Sequence, residues 1–201
     1  TLRNDVLLDI GVHADRLAAR GADDAAFRQI ARCARAQLIS VAIERERLQD
    51  AEALAANLAG SYPDALPATA VEDWPLIRAL GELVLEPRAR NAIALLASRS
   101  ANYAAAAERA GQAARASRLY AATAQALLVL GDTAKSRELA LRALAVSGRP
   151  PAPETAWLVM PTLFDAVERL SGGGEAATLQ ALLNPPQPPP ALRQPRRVRR
   201  P

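Results

Sequence analysis

The sequence predicts an all-α protein in which helical hairpins stack on one another. Alanine and leucine, with 47 and 29 copies, supply 76 of the 201 residues, and both lose little entropy in a helix. Only 3% of the residues are aromatic, whereas strands favour aromatic and β-branched side chains. Apolar residues also recur at three- and four-residue intervals, which is the period of a helix with one buried face. Together these observations argue against a fold built on a β-sheet.

Two helices are predicted at the N-terminal end of the chain. The first covers residues 5–20, where the apolar residues follow the helical period. Asp23 or Asp24 caps a long second helix that extends to Leu58, and Gly60 ends it. The apolar stripe of this second helix comprises Phe27, Ile30, Ala31, Ala34, Leu38, Val41, Leu48, Ala51 and Ala55. The two helices are expected to pair as an N-terminal hairpin.

A charged run lies within the second helix, and a proline-containing segment follows that helix. The run over 44–47, Glu-Arg-Glu-Arg, is expected to be a solvated helix face with local ion pairs. Pro63 and Pro67 cannot continue a helix, because proline lacks the backbone N–H. The predicted organisation is therefore an N-terminal hairpin over residues 1–60 and a linker over residues 61–71.

Shorter helices and tight turns are predicted beyond the linker. One helix covers residues 72–86, with acidic residues first and Pro75 in its first turn. Pro87 breaks that helix and begins the next one. Turns are predicted at Ala101–Asn102, Gly131–Asp132 and Gly148–Pro153. The last two helices are predicted over 154–170 and 175–183. Residues 72–184 are thus expected to form an array of helical repeats.

The C-terminal tail, Pro185–Pro201, carries the excess of positive charge. The whole chain has 25 lysines and arginines against 21 acidic residues, a net charge of +4. Five arginines and no acid lie in the tail, so the remaining 20 basic and 21 acidic residues give a net charge of −1. Its seven prolines predict an extended, disordered segment. Weak contacts with nucleic acid or anionic lipid are therefore expected from the tail alone.

The segment over 117–148 carries the residue pattern of a known helical hairpin. Tyr120 is an aromatic early in the first helix, and Gly131–Asp132 supplies the turn. The small and apolar positions are Thr123, Ala124, Leu127, Ser136, Ala140, Ala143 and Leu144. The segment thereby resembles a tetratricopeptide repeat, although Ala140 is smaller than the aromatic that the family prefers and Gly148 replaces its terminal proline. This resemblance implies hairpins stacked as a right-handed superhelix.

A weaker copy of the same pattern covers residues 87–116. Ile93 and Ala94 fit the packed pair of the first helix, and Asn102–Tyr103 fit the turn. Arg90 stands where the family has an aromatic, and the unit is about four residues shorter than the family's period. Its two helices could therefore run together as a single bent helix. A generic alanine-rich helical array is the alternative to the tetratricopeptide family.

The motifs of the common enzyme classes do not occur in the sequence. It has no phosphate-binding glycine loop, no dinucleotide-binding glycine motif and no nucleophile elbow. Gly172–Gly174 lacks the lysine and hydroxyl residue that a phosphate loop needs. His13 is the only imidazole and Cys33 the only thiol, which leaves too few ligands for most metal sites. We therefore expect a non-catalytic protein without a cofactor or metal.

The family resemblance implies a peptide-binding groove lined by the first helix of each hairpin. Carried over to this sequence, the groove residues are Arg88, Asn91, Leu95, Arg99, Arg118 and Gln125. Arginine pairs with a carboxylate through two hydrogen bonds, so the expected partner is a peptide or protein with acidic residues. The expected function is a scaffold or adaptor. The alternative is a helical sensory or regulatory domain of a larger signalling or transcription protein that binds a small ligand.

The ends of the sequence suggest a larger context. The chain begins at Thr1 rather than methionine, and we expect a processed or excised piece of a longer protein. No uninterrupted apolar run of about 18 residues occurs, so no membrane span is predicted. The cytoplasm is slightly favoured as the compartment, with export after removal of a signal as the alternative.

Overall fold

The computed structural model describes Val12, His13, Arg16 and residues 25–147, and its regular elements are helices. The helices are α1 (Ala25–Glu44), α2 (Leu48–Gly60), α3 (Trp74–Leu83), α4 (Arg90–Arg109), α5 (Ala113–Leu130) and α6 (Thr133–Ser147), with a 3-10 turn (Ala70–Asp73) before α3. Within this part of the chain there is no strand, which confirms the all-α prediction.

Several predicted elements lie outside the described residues. They are most of the first helix over 5–20, the helices over 154–170 and 175–183, and the tail over 185–201. Val12, His13 and Arg16 are helical and exposed. None of the helices from α1 to α6 combines the length and apolar character that a membrane span needs.

The long second helix is the first prediction that the structure corrects. The chain turns at residues 45–47, so α1 and α2 are separate helices that pack on each other. Glu46 adopts a left-handed conformation with φ of 56°, and the Arg47 N–H donates to the Ala42 carbonyl at 2.8 Å. These features close the C-terminus of α1 in the manner of a Schellman motif. Residues 44–47 are exposed as predicted, but they comprise the last residue of α1 and the turn after it rather than a face within one long helix.

The chain between α2 and α3 contains no α-helix, as its prolines predicted, yet part of it is buried. Tyr62 and Pro67 pack inside, and Thr69 forms a capping box with Glu72, whose Oε1 accepts the Thr69 Oγ1 hydrogen bond at 3.1 Å. Pro75 lies in the first turn of α3, as predicted. The α-helix is shorter than predicted, because a 3-10 turn occupies its first residues.

The predicted turn at Ala101–Asn102 is wrong, and the structure has the alternative, in which the helices on either side of residue 102 run together as one. α4 is one continuous helix of 20 residues, and it begins at Arg90 rather than Pro87. The reason is burial: Ser100, Tyr103 and Ala104 continue a buried helical stripe that started earlier in α4. A break at residue 102 would remove this stripe from the core.

α5 and α6 form the hairpin predicted over 117–148. Gly131 ends α5 in the left-handed conformation with φ of 87°, which glycine adopts without steric cost. Most of the residues that carried the family resemblance are buried between or beneath the helices: Tyr120, Thr123, Ala124, Ser136, Ala140 and Ala143. The turn at Gly131–Asp132 is therefore confirmed, although α5 begins at Ala113, earlier than predicted.

A continuous apolar core connects the six helices. α1 packs against α2 and α3, α2 packs against α4, and α4, α5 and α6 pack in succession. Buried alanines at these crossings let the helix axes approach closely. The largest fully buried side chains are Ile39, Leu58, Leu76, Leu80, Leu83, Ile93, Leu96, Tyr103 and Leu119.

Candidate functional site

The residues predicted to line a groove lie on α4, on α5 and in the turn before α4. Asn91 and Leu95 are exposed and lie one helical turn apart on α4, with Arg99 half-buried on the next turn. Arg88 is exposed in the turn that precedes the helix. Three of these positions therefore follow one side of α4 at four-residue spacing.

The register of α4 against α5 is given by two hydrogen bonds. Ser100 Oγ donates to the Leu119 carbonyl at 3.1 Å, and Arg90 Nη2 donates to the Leu130 carbonyl at 2.7 Å. The helices are thus antiparallel, and this register places Leu95 level with Gln125. Gln125 and Arg118, the two predicted positions on α5, are half-buried and have contacts of their own within the chain.

Two of the three predicted groove arginines are paired with carboxylates of this chain. Arg88 Nε and Nη2 each donate to Glu86 at 2.7 Å. Arg99 Nη1 donates to Asp64 Oδ1 at 3.1 Å. The carboxylates that Arg88 and Arg99 bind belong to this chain. The sequence prediction concerned the carboxylates of a partner. Neither pairing was evident from the helical pattern, because both acidic partners lie in turns.

The contact between Arg88 and Glu86 predicts a low pKa for Glu86, which can be measured. The hydrogen bond from Arg88 lowers the pKa of Glu86 to about 2, below the ordinary value of Glu. The folded-state pKa is therefore below the unfolded one, so the stabilising effect is present above about pH 4.3 and is lost as the pH falls through 2. An NMR titration of Glu86 should show the low midpoint, and Arg88→Gln should return it towards the ordinary value. Arg90→Gln is the control and should leave the midpoint low.

A buried polar cluster ties α1 to the segment before α3. Arg32 Nη2 donates to the Ser61 carbonyl at 2.6 Å, and Arg32 Nη1 lies 3.4 Å from Glu72 Oε2. Its guanidinium also stacks 4.3 Å from the ring centroid of Tyr62, whose hydroxyl donates to the Glu72 carbonyl at 2.8 Å. Tyr103 meets the Tyr62 ring edge-on, with the centroids 5.8 Å apart.

A second buried pair connects the start of α3 with α5. Arg115 forms a bidentate bond with Asp73, and the Nη2–Oδ1 distance is 2.9 Å. Burial raises the pKa of Asp73, although Arg115 acts to lower it. Asp73 lies at the predicted helix start, but neither buried arginine was among the predicted site residues. Arg32 carried a signal, since it shares a helical face with Ala36 and Ile39. Arg115 carried the same signal beside Leu119, whereas its pairing with Asp73, 42 residues away, carried none.

The chemistry of these buried groups is structural. Burial raises the pKa values of Tyr62 and Tyr103, which keeps both hydroxyls protonated near neutral pH. The Tyr62 hydroxyl donates a hydrogen bond to the Glu72 carbonyl, and the Tyr103 hydroxyl donates one to the Pro63 carbonyl. The arginines in turn satisfy carboxylates and a carbonyl. In the described residues the cluster thus holds four segments together and leaves no phenolate or imidazole to accept a proton.

A cleft of about 270 Å³ lies between α1 and α2, near their turn. It is lined by Leu38, Val41, Ala42, Arg45, Arg47, Asp50, Ala53, Leu54 and Asn57. The cleft opens to solvent and lies within the hairpin, whereas an enclosed apolar pocket between the hairpin and the later helices would favour the small-ligand alternative. Among residues 25–147 no group of three or more His, Cys, Asp or Glu side chains could hold a metal ion.

Comparison with known proteins adds no assignment to this geometry. No family model matches the chain, and neither the curated proteins nor the solved structures compared with it give a match.

Proposed function

We propose that the chain is a non-catalytic scaffold that binds a peptide or protein partner on an exposed side of α4. This surface, the α4 face, consists of Asn91, Leu95, Ser98 and Asn102. The four residues recur at helical spacing and all are exposed. The observation that carries the proposal is Leu95, a large apolar side chain 44% exposed in the middle of this face.

The composition of the α4 face suits a peptide ligand. Leu95 offers apolar contact, and the small side chain of Ser98 leaves room for a partner's backbone to come close. The Ser98 hydroxyl and the amides of Asn91 and Asn102 can each donate and accept hydrogen bonds. A peptide has the complementary groups, namely apolar side chains and backbone N–H and C=O groups. The stacked helices behind α4 hold these residues on a rigid element, which lowers the entropic cost of binding.

The arginines beside the α4 face favour a partner with acidic residues. Arg88 and Arg99 already bind Glu86 and Asp64, but these pairs lie at the surface, with Asp64 fully exposed. Exposed ion pairs contribute little to stability. A carboxylate of the partner can therefore replace an intramolecular one at small cost, and at Arg88 it would gain the same bidentate geometry.

The proposal predicts that one substitution on α4 weakens peptide binding without unfolding the protein. Peptides are selected on the full chain from a random library displayed on phage, and their affinities are measured by calorimetry. Leu95→Glu should weaken the selected peptides by at least about tenfold, because it places a charge at the centre of the contact. Replacing Arg88, Arg99 and Arg118 together by alanine should weaken the acidic peptides in particular.

The matched control is Leu141→Glu, which changes an exposed leucine on α6 in the same way. It should leave the affinities unchanged, and circular dichroism should show both variants to be as helical as the wild type. The proposal fails if no peptide binds saturably, or if the selected peptides bind equally well to the wild type and to Leu95→Glu.

A further inference from the structure

The outer side of α3 and the turns at its two ends expose large apolar residues that the proposed peptide site does not use. Val71, Trp74 and Leu85 are 70%, 54% and 75% exposed. Arg78 and Gly81 are exposed on α3 between them, and these five residues are here named the α3 face. The opposite side of α3 is buried in the core, so the exposed side is not needed for packing within the described fold.

The spacing of the α3 face is that of a helix–helix seam. Its residues lie at 71, 74, 78, 81 and 85, at alternating intervals of three and four. This is the interval at which one helix packs along another. Ile30 of α1, predicted to belong to an apolar stripe, is also exposed, at 48%. Its neighbour Gln29 donates to the Val71 carbonyl, which places this part of α1 beside the seam.

Gly81 lies in the interior of α3, at a position where the described fold does not require a glycine. Glycine is less favourable than alanine in a helix interior, yet its φ here is not positive and a Cβ would meet nothing within 4 Å. Nothing within the described fold therefore requires the missing side chain. A small residue on an exposed helix face does let the backbone of a second helix approach. Gly81 is thus suited to be the crossing point of such a contact.

The charges on α3 indicate that the second helix is α3 of another copy of this chain. Arg78 and Glu82 belong to none of the ion pairs within residues 25–147. They lie at equal distances on either side of residue 80, and Trp74 and Leu85 lie nearly symmetrically about the same point. If α3 crosses a second α3 in antiparallel orientation there, each arginine faces the glutamate of the other copy. Each tryptophan then meets the other copy's leucine.

We propose that the α3 face is a dimer interface that binds a second copy of this chain about a two-fold axis near Gly81. The contact is self-complementary, as a two-fold interface must be. One short helix pair buries less area than the roughly 1,200–2,000 Å² of a stable specific interface. The dimer is therefore expected to dissociate at micromolar rather than nanomolar concentration. The interface lies apart from the α4 face and does not depend on the proposed peptide binding.

Sedimentation equilibrium of the full chain over a range of concentrations tests this proposal. The wild type should show a reversible monomer–dimer equilibrium. Leu85→Glu should raise the dissociation constant at least about tenfold, because the charge would be buried against Trp74 of the other copy. Leu95→Glu is the matched control and should dimerise like the wild type. A wild type that stays monomeric at its highest soluble concentration would overturn the proposal, and so would a Leu85→Glu variant that dimerises normally.

Charge exchange tests the antiparallel geometry itself. Arg78→Glu and Glu82→Arg should each weaken the dimer, because each places like charges opposite each other. The double variant should restore the wild-type dissociation constant, since it re-forms both pairs with reversed sign. Single variants that dimerise as well as the wild type, or a double variant no better than either single one, would overturn the pairing. Because Leu95→Glu acts on peptide binding and Leu85→Glu on dimerisation, failure of one proposal is distinguishable from failure of the other.

Discussion

Replacing Arg115 by methionine is expected to lower the free energy of unfolding by about 3–5 kcal/mol, as breaking one side of a buried ion pair does. Asp73 is 1% exposed and Arg115 is 4% exposed. Their bidentate contact joins the start of α3 to α5. Without Arg115 the carboxylate of Asp73 would remain buried without its hydrogen-bonded cation, and only the weaker electrostatic effect of Arg118 would act on its charge. Urea denaturation followed by circular dichroism measures the loss.

Two further variants separate the charge effect from lost packing. Asp73→Asn in the Arg115→Met background removes the unpaired charge and should recover a substantial part of the stability. Arg142→Met breaks the exposed pair with Glu108 and should change stability little, because solvent already screens that pair. The interpretation is wrong if Arg115→Met unfolds at the same urea concentration as the wild type.

The pH dependence of these variants has a definite sign. Burial raises the pKa of Asp73 in the folded state even with Arg115 present, and loss of Arg115 raises it further. A carboxyl group whose folded pKa exceeds its unfolded pKa destabilises the fold when it is charged, and protonation relieves this. The stability difference between Arg115→Met and the double variant with Asp73→Asn should therefore shrink as the pH falls from neutral. A difference independent of pH would contradict this account.

Ala140→Leu and Ala143→Leu are each expected to destabilise the protein by roughly 1–3 kcal/mol through overpacking. Both alanines are fully buried on α6, against α5. The helices approach closely there, because Ser117 Oγ of α5 donates to the Ala143 carbonyl at 2.8 Å. Added methylene groups would push the helices apart and break this bond. Thermal unfolding should show lower melting temperatures for both variants.

Ala145→Leu provides the matched control for this second prediction, since it makes the same change at an exposed position of α6. Its melting temperature should stay close to that of the wild type. Glu44→Gln and Arg47→Gln, in the exposed turn between α1 and α2, should likewise have small effects. Wild-type melting temperatures for both buried variants would show that the α5–α6 crossing is looser than its contacts indicate.

The local features of the described chain were predictable from its sequence. The abundance of alanine and leucine predicted helices, and no strand occurs between residues 25 and 147. Pro75 and Gly131 marked a helix start and a helix end, because each restricts or frees its own backbone angles. On the candidate site, Asn91 and Leu95 are two of the positions that the family resemblance assigned to a groove, and the structure exposes both on one side of α4. These properties depend on neighbours within one or two helical turns.

Only the tertiary structure decided the features that depend on distant residues. The chain turns at residues 45–47 so that α2 can pack on α1, although the local sequence permits a continuous helix. α4 continues through Asn102 because Tyr103 and its neighbours are buried by other helices. Asp73 pairs with Arg115 because folding brings two charges together out of water. Such outcomes depend on which surfaces are buried together, and burial is a property of the whole chain that no local pattern of residues contains.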